Sequence, residues 1–266
     1  MNISLPDKNV GPSPQPMVFC DFDGTITLAD VTDKILEHLA APAWRRFEQM
    51  WAEGRMGSRE CLEQQLALVR TAPKALNALI DSIPVDPGFA VFCRLMEDEA
   101  IPFVVVSDGL DYVIRRILRR CGMQKRLRNG TQFFSSAVRL TRGGLTLKFP
   151  HAGASCRHGC ATCKPRIIQR LRGHHWPLLY VGDGLSDRHA VSEVDFVYAR
   201  PGLLSYCRMK GIPSSSFRTF DDLVCRLPEW LGANAPLPMD EAARMRLGLS
   251  PDSRGVAAAS PAASGS

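Results

Sequence analysis

Four short apolar runs, each followed by small or acidic residues, constrain the fold of this chain more than any other feature. The runs are MVFC (17–20), IPFVVV (101–106), PLLYV (177–181) and DFVYA (195–199). Segments that are apolar at every position are typical of strands buried on both faces of a parallel sheet. Four segments with helical spacing alternate with them, at 88–100, 111–121, 165–173 and 186–194. This alternation predicts an α/β fold in which helices wind doubly around a parallel sheet.

Two further segments depart from the simple alternation. Residues 28–86 lie between the first strand and its return helix, whereas such connections usually span about 2–6 residues. This segment has the pattern of four helices, with Ser58 as a candidate N-cap of the third, and we expect it to form a small helical cap inserted after the first strand. Residues 131–150 have β-rich arms around a Gly-Gly pair, which predicts a hairpin.

The two ends of the chain have the composition of tails. The first is rich in Pro and polar residues, and the last is a low-complexity Ala/Ser/Gly segment that cannot build a core. We therefore predict four parts of the chain: a flexible N-terminal segment at 1–16, a catalytic core at 17–27 and 87–232, the helical cap at 28–86, and a largely disordered C-terminal tail at 233–266.

Bulk composition excludes several classes of protein. No apolar run approaches the roughly 20 residues of a membrane span, and the N-terminus lacks the pattern of a secretory signal, so we expect a cytoplasmic protein. The net charge is +6, but the densest basic run (115–128) has no interleaved aromatic residues, which disfavours a nucleic-acid partner. Nine cysteines in a reducing cytosol indicate metal binding or catalysis rather than disulfides. The oligomeric state stays open.

Acidic and hydroxyl side chains follow three of the predicted strands. In an open parallel sheet ligands bind at the carboxyl ends of the strands, so these groups are expected to converge. Two unit charges about 4 Å apart repel by roughly 4 kcal/mol at an effective dielectric near 20, which a hard cation such as Mg²⁺ would offset. A cation beside a lysine and a hydroxyl suits a phosphoryl group. The residues concerned are Asp21, Asp23, Ser107, Asp108, Asp183 and Asp187, with Lys164 at a helix start.

DFDGTIT, SDG, the helix-initiating lysine and GDGLSD resemble, in this order, the four motifs of the haloacid dehalogenase superfamily. The resemblance covers roughly residues 17–230, and the insertion between the first two motifs resembles the phosphoserine-phosphatase-like branch. Within that branch, FCDFDGTIT, SDGLDYVI, GRMGSRECL and the Cys-rich approach to the lysine are similar to the methionine-salvage phosphatases. The resemblance implies a Rossmann-like core and a Mg²⁺-dependent phosphatase for a small phosphorylated metabolite.

The resemblance also implies a role for each motif residue. Asp21 would be the nucleophile that becomes an aspartyl-phosphate, and Asp23 the general acid and base. Mg²⁺ would be held by Asp21, Asp23 (through its carbonyl) and Asp183, with Asp187 in support. The implied phosphate-binding residues are Thr25, Ser107, Asp108, Gly109 and Lys164. The implied specificity residues, at the start of the cap and within it, are Asp30, Arg55 and Arg59.

Several functions stay compatible with these motifs. The substrate class includes a methylthio-ketopentenyl phosphate, phosphoserine and phosphorylated amino alcohols. A phosphotransferase or mutase would use the same covalent intermediate with an acceptor other than water. A non-catalytic module that binds a phosphorylated ligand is the alternative from another class, although it would be expected to lack part of the catalytic set, and here no member is missing.

A cysteine-rich stretch, CRHGCATCK at 156–164, leads directly into the predicted lysine motif. Cys156, Cys160 and Cys163 could bind a structural Zn²⁺ with His151 or His158 as fourth ligand, although C-x3-C-x2-C is not a standard finger spacing. Free thiols and a redox function are the alternatives. Residue types and spacing do not decide among the three.

Overall fold

The computed structural model describes residues 15–123, 132–141, 144–175 and 177–230. A seven-stranded sheet lies at the centre, in the order β4-β3-β2-β1-β5-β6-β7. Every pairing is parallel except that of β3 with β4, the hairpin at one edge. The strands are β1 Met17–Cys20, β2 Phe103–Leu110, β3 Gln132–Thr141, β4 Gly144–Lys148, β5 Leu178–Gly182, β6 Phe196–Ala199 and β7 Ser214–Ser216. This confirms the predicted α/β fold class.

Nine helices are described around the sheet. The cap insertion contains α1 Val31–Leu39, α2 Trp44–Ala52, α3 Ser58–Leu66 and α4 Pro73–Ser82. The remaining helices are α5 Phe89–Asp98, α6 Asp111–Arg120, α7 Lys164–Leu171, α8 Pro201–Lys210 and α9 Phe220–Trp230. Within the described chain, no helix combines the length and apolar character needed to cross a bilayer.

The strand order reverses at β1, which pairs with β2 on one side and β5 on the other. The chain first builds the sheet outward through β2, β3 and β4, and then returns to add β5, β6 and β7 on the opposite side. At such a reversal the connections leave in opposite directions and open a crevice beyond the carboxyl ends of the strands. The fold therefore places a binding site directly after β1.

Both faces of the central strands are covered by apolar side chains. On one face, Phe19 and Tyr180 are fully buried in a cluster that includes Ile168 of α7. On the other, Phe89 of α5 packs edge-on against Phe220 of α9 at a ring separation of 5.0 Å. Burying a large apolar side chain contributes about 1.5–3 kcal/mol to the stability of the fold. The packed core therefore holds the residues on either side of the crevice in place.

The cap insertion leaves the core and returns to it at adjacent points. The Leu28 N–H donates to the Pro84 carbonyl at 3.0 Å, and the Asp86 N–H donates to the Ile26 carbonyl at 3.0 Å. An isolated antiparallel bridge joins residues 27 and 85 between them. The segments that lead into and out of the four cap helices thus run antiparallel to each other beside the end of β1.

The structure differs from the sequence prediction at residues 186–194. In place of a helix, two short 3₁₀ turns occur, Leu185–Asp187 and Val191–Glu193. The Asp187 carboxylate accepts the backbone N–H groups of Asp183 and Gly184, which holds the chain in a tight turn that a regular α-helix could not follow.

Other differences concern helix starts and the C-terminal part. Ser58 is the first residue of α3 and Gly57 its N-cap, so the predicted Ser58 cap is wrong. No elements were predicted for residues 200–230, where α8, β7 and α9 complete the sheet and its cover.

The chain divides into two units, Met1–Arg226 and Leu227–Ser266. The first contains both the sheet and the four cap helices. Of the second, the described part is the final turn of α9. The predicted flexible segment at 1–16, except residues 15 and 16, and the predicted tail at 233–266 lie outside the described residues. The division into core and cap at 27/28 and 86/87 stays a prediction.

Candidate active site

Asp21 directly follows β1 at the reversal of strand order. The residue is only 3% exposed, and its backbone N–H donates to the Val181 carbonyl at 2.9 Å, which continues the β1–β5 pairing by one residue. Asp23 follows two residues later, and its carboxylate accepts the Val31 N–H at 3.3 Å from the start of α1. The fold thus places two carboxylates at one strand end, one facing the core and one facing the cap.

The turn after β1 depends on Gly24. Its φ of +72° lies in the left-handed region, and a Cβ at this position would collide with the Asp183 carboxylate. The Thr25 hydroxyl donates to Asp183 Oδ1 at 3.3 Å, and Thr25 is fully buried. The first and fourth predicted motifs therefore contact each other through Thr25 and Asp183.

Lys164 is the first residue of α7 and is 1% exposed. Its ammonium lies 2.9 Å from Asp21 Oδ1 and 2.6 Å from Asp187 Oδ1, and it donates to the Ser186 hydroxyl at 3.1 Å. Removing an ammonium from water is costly unless carboxylates and hydrogen bonds surround it. The two carboxylates and the lysine are therefore mutually dependent.

Asp187 is fully buried and its carboxylate is saturated with donors. Oδ1 accepts from Lys164 and from the Tyr180 hydroxyl, each at 2.6 Å, and Oδ2 accepts the Asp183 N–H at 3.1 Å. The sequence prediction missed Tyr180, because in the sequence it is one more apolar position of β5. Asp187 acts here as the anchor of Lys164, as the resemblance implied it could.

The second motif lies at the end of β2. Ser107 is 1% exposed, and its hydroxyl accepts the Gly109 N–H at 3.0 Å. Gly109 lies against the Asp23 carboxylate so closely that a Cβ would collide with it. Asp108 is engaged elsewhere, since its carboxylate accepts the Thr162 N–H at 2.8 Å. Ser107 and Gly109 therefore contact the Asp21/Asp23 end of the site, whereas the Asp108 side chain braces the loop before Lys164.

The electrostatics of the site follow from burial and from crowding of like charges. Burial first, and the neighbouring Asp187 carboxylate second, raise the pKa of Asp21 well above its ordinary value. Burial followed by the charge of Asp30 does the same to the pKa of Asp23. For Asp183, burial and then Asp187 raise the pKa to about 6. Burial by itself would lower the pKa of Lys164, but the carboxylates, Asp187 first, hold it above its ordinary value.

The donor set fits a hard divalent cation. Asp21, Asp183 and Asp187 each present a carboxylate oxygen, and these oxygens lie within 4.8 Å of one another. Three carboxylates against one lysine leave an excess of negative charge, which oxygen-preferring Mg²⁺ would neutralise. The ligand set implied by the resemblance takes the backbone carbonyl of Asp23 in place of the Asp187 carboxylate, whose Oδ1 already accepts from Lys164 and Tyr180, and that set stays a prediction.

A cavity of about 210 Å³ opens between the strand ends and the cap. Its inner part is lined by Asp21, Asp23, Ser107, Asp108, Gly109 and Asp183, so it brings together most of the predicted site. Asp30 also lines it, as predicted. Arg55 and Arg59 are exposed, and within the described chain neither is among the lining residues; Arg55 pairs with Glu53 instead. Their predicted role in specificity therefore has no support from their placement.

The cap side of this cavity is acidic, which the sequence did not indicate. Asp30, Asp33 and Glu48 line it, together with Trp51. Asp30 is exposed at the cavity mouth, yet desolvation of its carboxyl raises its pKa to about 6. Burial, and then Asp30 and Glu48, raise the pKa of Asp33 to about 7. We call Asp30, Asp33 and Glu48 the acidic wall.

The cysteine loop does not form a complete zinc site. Cys156 contacts the thiols of both Cys160 and Cys163, but in the described chain the sole group of three potential ligands that gathers within 4.8 Å is the Asp21 group. His151 packs edge-on against Phe134, and His158 stacks on His189. Neither histidine completes a tetrahedral set with the three sulfurs, so the predicted zinc site lacks support.

Comparison with known proteins identifies the family. The model of the haloacid dehalogenase-like hydrolases matches residues 18–192, more than half of the chain. This chain belongs to that family, and within it to the phosphatases. The family predicted from the motifs is thereby confirmed.

The chain is similar to a protein of Geobacillus thermodenitrificans named 2-hydroxy-3-keto-5-methylthiopentenyl-1-phosphate phosphatase. The two are 30% identical over 220 residues, 80% of this chain and 96% of that protein. A protein of the same name from Geobacillus kaustophilus is 30% identical, covering 79% and 94% of the two chains. The predicted similarity to methionine-salvage phosphatases is confirmed at this level.

Solved structures support the fold. A phospho-aspartyl intermediate analogue of phosphoserine phosphatase superposes with a TM-score of 0.62 at 15% identity, covering 80% of this chain and 98% of that one. A haloacid dehalogenase family hydrolase from Salmonella enterica serovar Typhi also gives 0.62, at 19% identity, covering 84% and 73%.

Proposed function

We propose that this protein is a Mg²⁺-dependent phosphatase that hydrolyses a small-metabolite phosphomonoester through an aspartyl-phosphate on Asp21. The observation that carries the proposal is the ion pair of 2.9 Å between the buried Lys164 and Asp21, whose carboxylate lines the cavity together with Asp23 and Ser107. A carboxylate next to a cation and a hydroxyl can accept a phosphoryl group whose oxygens those neighbours bind.

Substrate binding uses groups that the fold has already positioned. The Lys164 ammonium and the Ser107 hydroxyl offer donors to the phosphoryl oxygens, and the start of α7 favours an anion at the same place. Because Asp187 and Tyr180 fix the lysine, its ammonium needs no rearrangement when the phosphate arrives. Positioning of this kind removes much of the entropic part of the barrier.

The reaction has two halves. In the first, the Asp21 carboxylate attacks phosphorus, the bond from phosphorus to the ester oxygen breaks, and Asp23 gives its proton to the leaving oxygen. The raised pKa of Asp23 favours the protonated carboxyl that this step requires. In the second half, Asp23 takes a proton from water as the water oxygen attacks phosphorus, and the bond to Asp21 breaks. Inorganic phosphate leaves and both residues return to their initial states.

The metal would be held by Asp21 and Asp183, with the Asp23 carbonyl as predicted, and with Asp187 behind them. The chemistry that Mg²⁺ supplies when bound is neutralisation of the crowded carboxylates and of the phosphoryl oxygens. The Thr25 hydroxyl donates to the Asp183 carboxylate at 3.3 Å and so helps to orient it.

A methylthio-ketopentenyl phosphate is the substrate that we propose first. The relatives that carry this name align over nearly their whole length with this chain, including the cap. A cavity of about 210 Å³ with Trp51, Cys61 and Leu62 in its cap side can accept a short apolar tail. Its limited size also favours a metabolite over a phosphoprotein.

A phosphorylated amino alcohol is the second candidate, and the acidic wall favours it. Asp30, Asp33 and Glu48 would pair with an ammonium group on the leaving alcohol, and Trp51 would offer it an aromatic face. The test is the ratio of kcat/KM for phosphoethanolamine to that for a neutral alkyl phosphate of equal length. A ratio that falls about tenfold in Glu48→Gln, but not in Glu63→Gln elsewhere on the cap, supports the amino alcohol, since an ion pair of this kind contributes about 1.4 kcal/mol. An unchanged ratio favours the methylthio substrate.

The proposed mechanism is tested with a generic aryl phosphate. Asp21→Asn is expected to lower kcat by at least about 10³-fold, because no other carboxylate replaces the nucleophile. Asp23→Asn should cost about 10²–10⁴-fold with an alkyl phosphate and less with an aryl phosphate, whose leaving group needs little protonation. Removal of the metal with EDTA should abolish turnover, and Mg²⁺ should restore it. Turnover that persists in Asp21→Asn or in EDTA would contradict the mechanism.

A further inference from the structure

The loop that delivers Lys164 carries a group of three thiols, which the proposed phosphatase function does not use. Cys156 is half-buried and Cys163 is 8% exposed. A Cβ added at Gly153 would lie 3.3 Å from the Cys156 Cβ and 3.5 Å from the Cys163 sulfur, so these two side chains lie on either side of the same glycine.

The three thiols differ in acidity. Burial alone would raise the pKa of Cys156, but the backbone N–H groups and the neighbouring thiols hold it below its ordinary value. Burial raises the pKa of Cys160 and of Cys163. The group therefore combines one thiol inclined to be a nucleophile with two that stay protonated.

An open groove of about 550 Å³ gives access to this group from solvent. Cys156 and Cys163 lie in it, whereas Cys160 is not among its described lining residues. Around the sulfurs the charged lining is mainly basic, with Arg157, Arg188 and Lys210 against a single carboxylate, Glu193. His158 and His189 stack at 3.7 Å to form part of the wall. A groove of this charge attracts small anions to the sulfur pair.

We propose that Cys156 and Cys163 form a thiol–disulfide exchange site that reacts with small anionic disulfides of the glutathione class. The Cys156 thiolate attacks one sulfur of the disulfide RSSR, which forms a Cys156–S–SR mixed disulfide and releases RS⁻. The Cys163 thiol then loses its proton to RS⁻, attacks the Cys156 sulfur and releases the second RS⁻, which takes up a proton from water. Two protein thiols are oxidised to one disulfide, and one RSSR is reduced to two RSH.

Formation of the Cys156–Cys163 disulfide would affect the candidate active site through the peptide chain. Cys163 immediately precedes Lys164, and Thr162 donates its N–H to Asp108 at 2.8 Å. A disulfide requires the two sulfurs to close to about 2.05 Å, which draws Cys163 toward Cys156. The ion pairs of Lys164, at 2.6 and 2.9 Å, do not survive such a shift at the adjacent residue unchanged. Oxidation is therefore expected to reduce turnover, and reduction to restore it.

The test treats the full-length protein with oxidised glutathione and locates the products by peptide mass spectrometry. The wild type should yield a Cys156–Cys163 disulfide, and Cys163→Ser should stop at the glutathione adduct on Cys156. Cys156→Ser should give neither product, and Cys160→Ser, the matched control, should behave as the wild type does. Cys225, an exposed thiol outside the group, serves as internal reference, and Cys156 should react about tenfold faster than it does. Equal rates at Cys156 and Cys225, or a disulfide that uses Cys160, would overturn the proposal.

Two further measurements test separately the role of the basic groove and the effect of oxidation on turnover. The neutral reagent hydroxyethyl disulfide should prefer Cys156 over Cys225 less strongly than oxidised glutathione does. Equal preferences for the two reagents would mean that the basic groove does not attract the anionic disulfide. Turnover of an aryl phosphate should fall about 10²-fold on oxidation of the wild type and return with dithiothreitol, whereas Cys156→Ser should keep full turnover throughout. This last readout rests on the proposed phosphatase function, but the reactions at sulfur are measured without it.

Discussion

Two acidic regions face each other across one cavity, and they handle charge differently. At the strand ends, Asp21 and Asp187 share the Lys164 ammonium. On the cap side, no ion pair involving the acidic wall occurs among the described residues. Glu48 has only the amide of Gln65, at 2.8 Å, as a side-chain donor. At the strand ends the fold thus supplies one ammonium against part of the negative charge, whereas the acidic wall leaves all of its charge to solvent or to a ligand.

This contrast separates two uses of a buried or partly buried carboxylate. Where the chain supplies its own cation, the carboxylates are locked in place before any substrate arrives, as general acid–base and nucleophilic chemistry requires. Where it does not, as at Asp30 and Asp33 with pKa values raised to about 6 and about 7, no ammonium of the described chain pairs with the carboxyls, so their charge depends on what enters the cavity. The carboxylates held by Lys164 are therefore suited to the reaction itself, whereas the acidic wall is suited to selecting the substrate.

The largest expected effect comes from removing the ammonium at the strand ends. Lys164→Met leaves the Asp21 and Asp187 carboxylates buried without their partner, so the free energy of unfolding, measured with urea in EDTA at pH 8, should fall by about 3–5 kcal/mol. Lys34→Met, which breaks an exposed pair with Glu37, should change it far less. If Lys164→Met does not fold, the double variant with Asp187→Asn should recover part of the loss. Equal losses in Lys164→Met and Lys34→Met would remove the contrast between the regions.

A smaller and pH-dependent effect is expected at the acidic wall. Because the folded state raises the pKa of Asp33 to about 7, folded protein binds its proton more readily than unfolded protein does. Wild-type stability from this residue is fully present below about pH 4 and is lost as the pH rises through about 7. At pH 8 the free energy of unfolding of Asp33→Asn should therefore exceed that of wild type by about 1 kcal/mol, a value reduced because the side chain is partly exposed. The difference should vanish near pH 4.

Glu37→Gln is the matched control for this pH profile. Glu37 is exposed on the same helix, and its hydrogen bond with Lys34 lowers its pKa, so its contribution has the opposite sign: it is present at neutral pH and lost on acidification. Urea unfolding of both variants from pH 4 to pH 8 should give slopes that depart from wild type in opposite directions. Slopes that depart in the same direction would mean that the acidic wall is no different from ordinary surface charge.

The smallest effect is expected at the junction between the two regions. Ser58 at the start of α3 accepts the Ala161 N–H at 3.0 Å and its hydroxyl also bonds to Asp108. Ser58→Ala should lower the free energy of unfolding by about 1 kcal/mol, because it removes both hydrogen bonds. Ser82→Ala, which loses a bond to a carbonyl at an exposed helix end, should cost less. A loss no greater than that of Ser82→Ala would show that the hydroxyl does not join the cap to the lysine loop.

The sequence predicted the strand ends well because a parallel sheet gathers its carboxyl ends on one edge. Asp21, Asp183 and Lys164 could be placed together from their order along the chain, before any contact was known. Tyr180 could not, because a hydroxyl that points into a buried network has the same sequence signature as an apolar strand residue.

The acidic wall was missed for a different reason. Asp33 and Glu48 lie on helices, where a charge toward a cavity and a charge toward water share the same spacing pattern. Arg55 and Arg59 were chosen instead, and both are exposed. The orientation of cap helices depends on how they pack over the crevice, and that packing is not encoded in the local periodicity of any one helix.

The narrow junction at residues 26–28 and 84–86 has a consequence for how this protein could change over generations or be redesigned. Because the inserted helices begin and end side by side, a different set of helices with the same end-to-end span could be exchanged for them while the seven strands keep their register. A new substrate preference could then arise while the residues at the strand ends stay unchanged.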